Sequence, residues 1–134
     1  MKGFEEIDHT ADRAFRVTGC DMVALLKNAA RAMQALDGLP PPTEASATRE
    51  IEVEGIDRET LLVNWLNEIL FLEQAHRLVC TDFQIYECKN HHVRGRVETR
   101  EAERRLAHIK AVTFHNLTVR EIPEGLEAEI VVDI

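Results

Sequence analysis

The chain has 134 residues, of which 45% are hydrophobic and 30% charged, with a net charge of −8. That length fits one domain able to bury a core without staples. The composition excludes a membrane-spanning stretch, and the acidity disfavours a general binder of phosphate backbone, suiting a cation or a basic protein partner instead. The first residues lack an apolar leader core and carry acids, which places the protein in the cytoplasm. Cys20, Cys80 and Cys88 are odd in number and have no Cys-x-x-Cys spacing, so they read as small buried or half-buried thiols rather than a disulfide or zinc framework.

Residues 2–7 read as a short strand around Phe4 and Ile7. A hydrophilic knot follows, Asp8-His9-Thr10-Ala11-Asp12. Asp and Thr serve turns through their own backbone, but a turn needs one Asp, and here a second Asp and an imidazole accompany it. Ala14, Phe15 and Val17 form a second strand ending at Gly19. Asp21 then caps a helix whose Met22, Leu25, Leu26, Ala29, Met33 and Leu36 share one face. Gly38 and Pro40-Pro41-Pro42 stop it, and a loop over 39–48 follows.

Alternation in Arg49–Glu54 predicts a half-exposed strand with Ile51 and Val53 inward. Asp57 caps a second helix with a broad apolar set (Leu61, Leu62, Trp65, Leu66, Ile69, Leu70, Leu72), so this one is central and Trp65 is core. The period then changes to two. Strands are predicted over 79–86, 93–97, 106–112, 117–122 and 126–132, with Pro123-Glu124-Gly125 as a tight hairpin turn. The expected fold is α+β: a single-domain sandwich of largely antiparallel strands with two main helices, in the order ββαβα and then about five strands.

Two late stretches carry more polar chemistry than packing requires. Within Ile109–His115, strand alternation puts Lys110, Val112 and Phe114 on one face and Ala111, Thr113 and His115 on the other; Lys110 either serves a site or reaches out at a sheet edge. At the chain end, Asp133 closes an apolar run beside the carboxylate of Ile134.

Taken together, Asp8-His9-Thr10-Ala11-Asp12, Leu61-Leu62 with Trp65-Leu66, Lys110–His115 and terminal Asp133-Ile134 resemble the archease signature, in order and over essentially the whole chain. The resemblance implies a small cytosolic accessory protein, not itself an enzyme, that activates an RtcB-type tRNA-splicing RNA ligase by promoting its guanylylation. It also implies a divalent cation, calcium with magnesium as the alternative, on Asp12, Asp133 and Ile134, and a partner-facing surface including Asp8, His9, Lys110 and His115. Physical chemistry agrees. If the first and last strands are neighbours, three anions within about 5 Å repel by a few kcal/mol even at an effective dielectric of about 20, which a hard cation with oxygen ligands relieves. Pairing of Asp133 with Lys110, without a metal, is the alternative. Arg13, Arg96 and Phe114 depart from the commoner family residues. The rival functions are a stand-alone metal-dependent hydrolase using His9 or Asp8 as base, and a general RNA-processing chaperone using Arg94, Arg96, Arg100, Arg104 and Arg105 with His91 and His92. No strong direct nucleic-acid binding is expected from so acidic a chain.

Overall fold

A computed structural model describes residues 3–7, 13–36, 45–89, 91–101, 109–113 and 117–133. Its elements run β1 (Phe4–Ile7), β2 (Arg13–Gly19), α1 (Met22–Leu36), β3 (Ala47–Glu54), α2 (Arg58–Ala75), β4 (Leu78–Lys89), β5 (His92–Glu101), β6 (Ala111–Thr113), β7 (Val119–Ile122) and β8 (Gly125–Asp133). This is the expected α+β order. One sheet runs β1-β2-β8-β6, with β7 also on β8, and the other runs β3-β5-β4; every pairing is antiparallel. Among the described residues no helix is long and apolar enough to cross a membrane.

Both helices start where the sequence places an Asp. Asp21 Oδ1 accepts from the Ala24 amide at 2.8 Å, and Asp57 Oδ1 accepts from the Thr60 amide at 2.7 Å. Those Thr60 hydrogen bonds hold the Asp57 carboxyl below its ordinary 3.8. A group depressed in the folded state stabilises above its unfolded pKa and loses that contribution as the pH falls through its lower folded value. The melting temperature of Asp57→Ala should therefore lie below that of the parent at neutral pH, and the gap should narrow as the pH falls below 3.8 and through the lower folded value.

Both helices contact both sheets. The difference between their sequences follows from where they lie. α1 buries one stripe, from Leu25 to Met33, whereas α2 buries Leu61, Leu62, Val63, Trp65, Leu66, Ile69, Leu70 and Leu72 on several sides. Trp65 stacks obliquely on Phe83 of β4, ring centres 5.8 Å apart, and its Nε1 donates to the Leu26 carbonyl of α1 at 3.0 Å. One indole thus joins α1, α2 and the smaller sheet.

Three expectations change. The neighbour of the last strand is β2, not the first strand, which sits at the sheet edge and pairs with β2 alone among the described strands. The strand expected over 106–112 is the short β6; Ile109 and Lys110 lead into it, and 102–108 fall outside the described residues, as does the loop-and-proline stop at 37–44. Of the thiols, Cys80 is buried and Cys88 half-buried, but Cys20 is exposed, because it sits in the bend between β2 and α1 rather than in a packed element. Burial pushes the Cys80 thiol far up, and burial also raises Cys88. Cys20 should consequently react first with a maleimide at neutral pH, with Cys80 modified only on unfolding; mass mapping of the labelled peptides checks the order.

The hairpin turn before β8 places Gly125 at φ 144°, where a Cβ would strike the Gly19 carbonyl oxygen and lie 2.6 Å from Cys20 Cα. Gly125→Ala should cost about 2 kcal/mol or more, from the strained backbone and the clash together. A urea titration with unchanged slope and a lower midpoint is the expected readout.

Candidate functional site

β8 is the organising strand. Leu126, Ala128 and Ile130 to Val132 are buried; the strand alternates with Glu127 and Glu129 over its first half and is continuously buried from Ile130 to Val132, where β2 and β6 flank it. The run ends at Asp133, whose side chain is exposed. On one edge of β8 lies β2, with Arg13 opposite Val132. On the other lies β6, with Ala111 opposite Asp133, and the Lys110 amide donates to the Asp133 carbonyl at 2.7 Å. The start of β2, the start of β6 and the end of β8 therefore meet at one end of one sheet.

Lys110 is exposed at that end, Val112 is buried and Ala111 and Thr113 are half-buried. Asp8, His9, Asp12, His115 and Ile134 lie outside the described residues, as does Phe114. Asp12 immediately precedes β2 in the chain and Ile134 immediately follows β8. So the structure brings Lys110 and Asp133 to the place where the strands leading to Asp12 and Ile134 end. Among the described residues, no group of three or more His, Cys, Asp or Glu side chains is arranged to hold a metal. Of the expected ligands only Asp133 is described, and its exposed carboxylate is the hard oxygen donor that calcium or magnesium takes.

The short β6 stays in place through two amides that sequence reasoning passed over. Asn67 of α2 accepts from the Val112 amide with Oδ1 at 2.9 Å and donates through Nδ2 to the Val112 carbonyl at 3.3 Å. One side chain thus closes the β6 edge that faces away from β8, in the way a further strand would. Gln74, two turns on, donates to the Ile109 carbonyl. Together they fasten the segment carrying Lys110 to the central helix. The available signal was an Asn and a Gln among the apolar residues of α2, each needing a polar partner if enclosed.

The arginine- and histidine-bearing hairpin has its own partners. Arg94 lies over the Tyr86 ring at 5.6 Å, Arg96 donates to Gln84, and His92 sits 2.6 Å from Glu52 and 3.3 Å from Glu87. These contacts run across the solvent face of β3-β5-β4.

A family model described as the archease protein family matches residues 4–134. The chain belongs to the archease family. A protein archease of Methanopyrus kandleri is 39% identical, with 98% of this chain and 99% of that protein aligned. The archease of Methanothermobacter thermautotrophicus is 31% identical over the whole of both chains. The solution structure of protein 1598 of Methanobacterium thermoautotrophicum superposes with a TM-score of 0.73 at 30% identity, covering all of both chains. A crystal structure of an archease from Thermotoga maritima, described as a possible chaperone, gives 0.66 at 22% identity over 97% of this chain and 96% of that one, a likeness of fold.

Proposed function

We propose that this archease family member is a cytoplasmic accessory protein that activates an RtcB-type tRNA-splicing RNA ligase by promoting its guanylylation. In this reading Asp12, Asp133 and Ile134 hold a divalent cation, calcium or alternatively magnesium, with Asp8, His9, Lys110 and His115 on the surface that meets the ligase. The observation that supports it is the pairing of Arg13, which follows Asp12 in sequence, with Val132, which precedes Asp133, in a chain matched to the family over residues 4–134. A bound divalent cation would supply positive charge beside a nucleotide phosphate. The chain's own part is positional. The β2-β8-β6 register sets the backbone of Asp133, and Asn67 and Gln74 fix the β6 lead-in that presents Lys110, so charged groups reach the partner preorganised rather than searching for geometry.

The test is formation of the ligase–guanylate adduct from GTP by a cognate ligase, followed with and without this protein. Faster adduct formation and multiple ligation turnovers are expected with the protein present. An unchanged adduct rate and a single turnover would refute the assignment.

A further inference from the structure

We infer that the outer edge of β3, which has no further strand beside it among the described residues, is a docking strand for an extended, basic segment of a partner protein, independent of the proposed ligase-activating site and on the other sheet.

The three-stranded sheet has two outer strands, β3 and β4, each with one strand neighbour among the described residues. They are not equivalent. β4 carries register shifts between Cys80 and Asp82 and between Ile85 and Glu87, and such bulges blunt an edge against further pairing. β3 pairs with β5 from Ala47 to Glu54 without a shift, so its outer side is regular. The Gly55 amide donates to the His91 carbonyl at 3.0 Å. Antiparallel ladders bond alternate residues, so Val53 and Ile51 turn their backbone groups to β5 while Glu52, Glu50 and Thr48 turn theirs outward. Glu54, in the outward set, shows the direction: its carbonyl accepts from Asn64 Nδ2 at 2.7 Å.

The side chains say what would pair there. Glu50, Glu52 and Glu54 are exposed on the solvent face, and Ile51 and Val53 are buried on the other. An added strand would lie beside these carboxylates on the side away from Arg96, Arg94 and His92 of β5, the last of which sits 2.6 Å from Glu52, and beside Ile51 and Val53 on the face turned to the core. Cationic residues alternating with aliphatic ones are the complement. Where β3 ends, Ile56 is 81% exposed at a cleft of about 510 Å³ lined also by Glu54, Thr60, Asn64 and His91, which offers an apolar anchor point next to the acid row. A second copy of this chain is the wrong occupant. Self-pairing through β3 would lay Glu50, Glu52 and Glu54 of one copy against those of the other, and each copy carries −8.

A fluorescein-labelled octapeptide of alternating Lys and Val is the probe, with alternating Glu and Val as control, at about 0.15 M salt. The Lys–Val peptide should raise its anisotropy on the parent protein, and Glu52→Lys should weaken binding by about tenfold or more, each tenfold being 1.4 kcal/mol. Glu52→Pro removes an outward amide without touching the β5 ladder and should also abolish binding; if it lowers the melting temperature, Glu52→Lys carries the test. Amide exchange should slow at Thr48, Glu50 and Glu52 when the peptide is added. Equal binding of the two peptides, protection confined to residues outside β3, or self-association of the parent that Glu52→Pro removes would each overturn the inference.

Discussion

Trp65→Ala should lower the melting temperature by about 10 °C or more. The indole is 1% exposed and spans α1, α2 and β4 through its Leu26 hydrogen bond and its packing on Phe83. Truncating a buried Trp costs about 3–5 kcal/mol, against a total stability of about 5–15 kcal/mol for an ordinary domain. At roughly 3–4 °C per kcal/mol for a chain of this length, the melting temperature should fall by about 10 °C or more. Trp65→Phe should fall in between, because it keeps much of the apolar volume but loses the donor to Leu26 and leaves space where the larger ring system was. Thermal melts of the three proteins followed by circular dichroism give the order. Near-equal melting temperatures would mean that the helices are not joined through this residue.

The second large effect is on function. Asp12→Ala and Asp133→Ala should each abolish stimulation of ligase guanylylation, while each remains folded in the absence of added metal. Asp133 is exposed at a strand end and makes its ladder contact through its backbone, the carbonyl accepting from Lys110, so removing its carboxylate leaves the described strand pairing intact. In the proposed site, removing either acid would take away one of the cation's ligands, and affinity for a hard ion follows the number of charged oxygens. Asn67→Ala is the informative companion. It frees the backbone of Val112 from its two hydrogen bonds to α2, so it should lower stimulation through the position of β6 and Lys110 without removing any ligand. Adduct formation with full calcium binding but a reduced maximal stimulation is the expected pattern for Asn67→Ala, in contrast to loss of both in Asp133→Ala.

Much of the architecture was legible because it is written locally. Both helices announce themselves through an Asp cap followed by apolar residues at helical spacing, and the observed starts, Met22 and Arg58, follow Asp21 and Asp57 directly. The breadth of the apolar set on α2 also predicted its central place, which its burial on several sides bears out. What sequence could not give is sheet order. That β8 lies between β2 and β6, rather than beside the first strand, depends on pairings more than 100 residues apart, such as Arg13 with Val132, and no local pattern encodes them. The short β6 was overdrawn for a similar reason. Its described residues are held by Asn67 from 45 residues away as well as by β8, while Ile109 and Lys110, inside the expected strand, only lead into it and 106–108 lie outside the described residues. Bulges in β4 were invisible too, since an extra residue in one strand shows only against its partner.

At the candidate site, Asp133 stood out as an acid ending an apolar strand, and Lys110 as a cation entering one. In the fold the two are adjacent, the Lys110 amide donating to the Asp133 carbonyl. Asn67 and Gln74 did not stand out, because an amide on an amphipathic helix ordinarily faces water. Only the fold shows that these two reach the backbone of the segment that bears Lys110.

The central claim is that a hard cation is held where β2 begins and β8 ends. Isothermal titration of calcium into the metal-stripped protein tests it most directly, with Asp133→Ala in parallel. The account predicts saturable binding by the parent, a melting temperature that rises with calcium and returns on chelation, and neither effect in the variant. Identical heats and identical melting curves for the two proteins would contradict it.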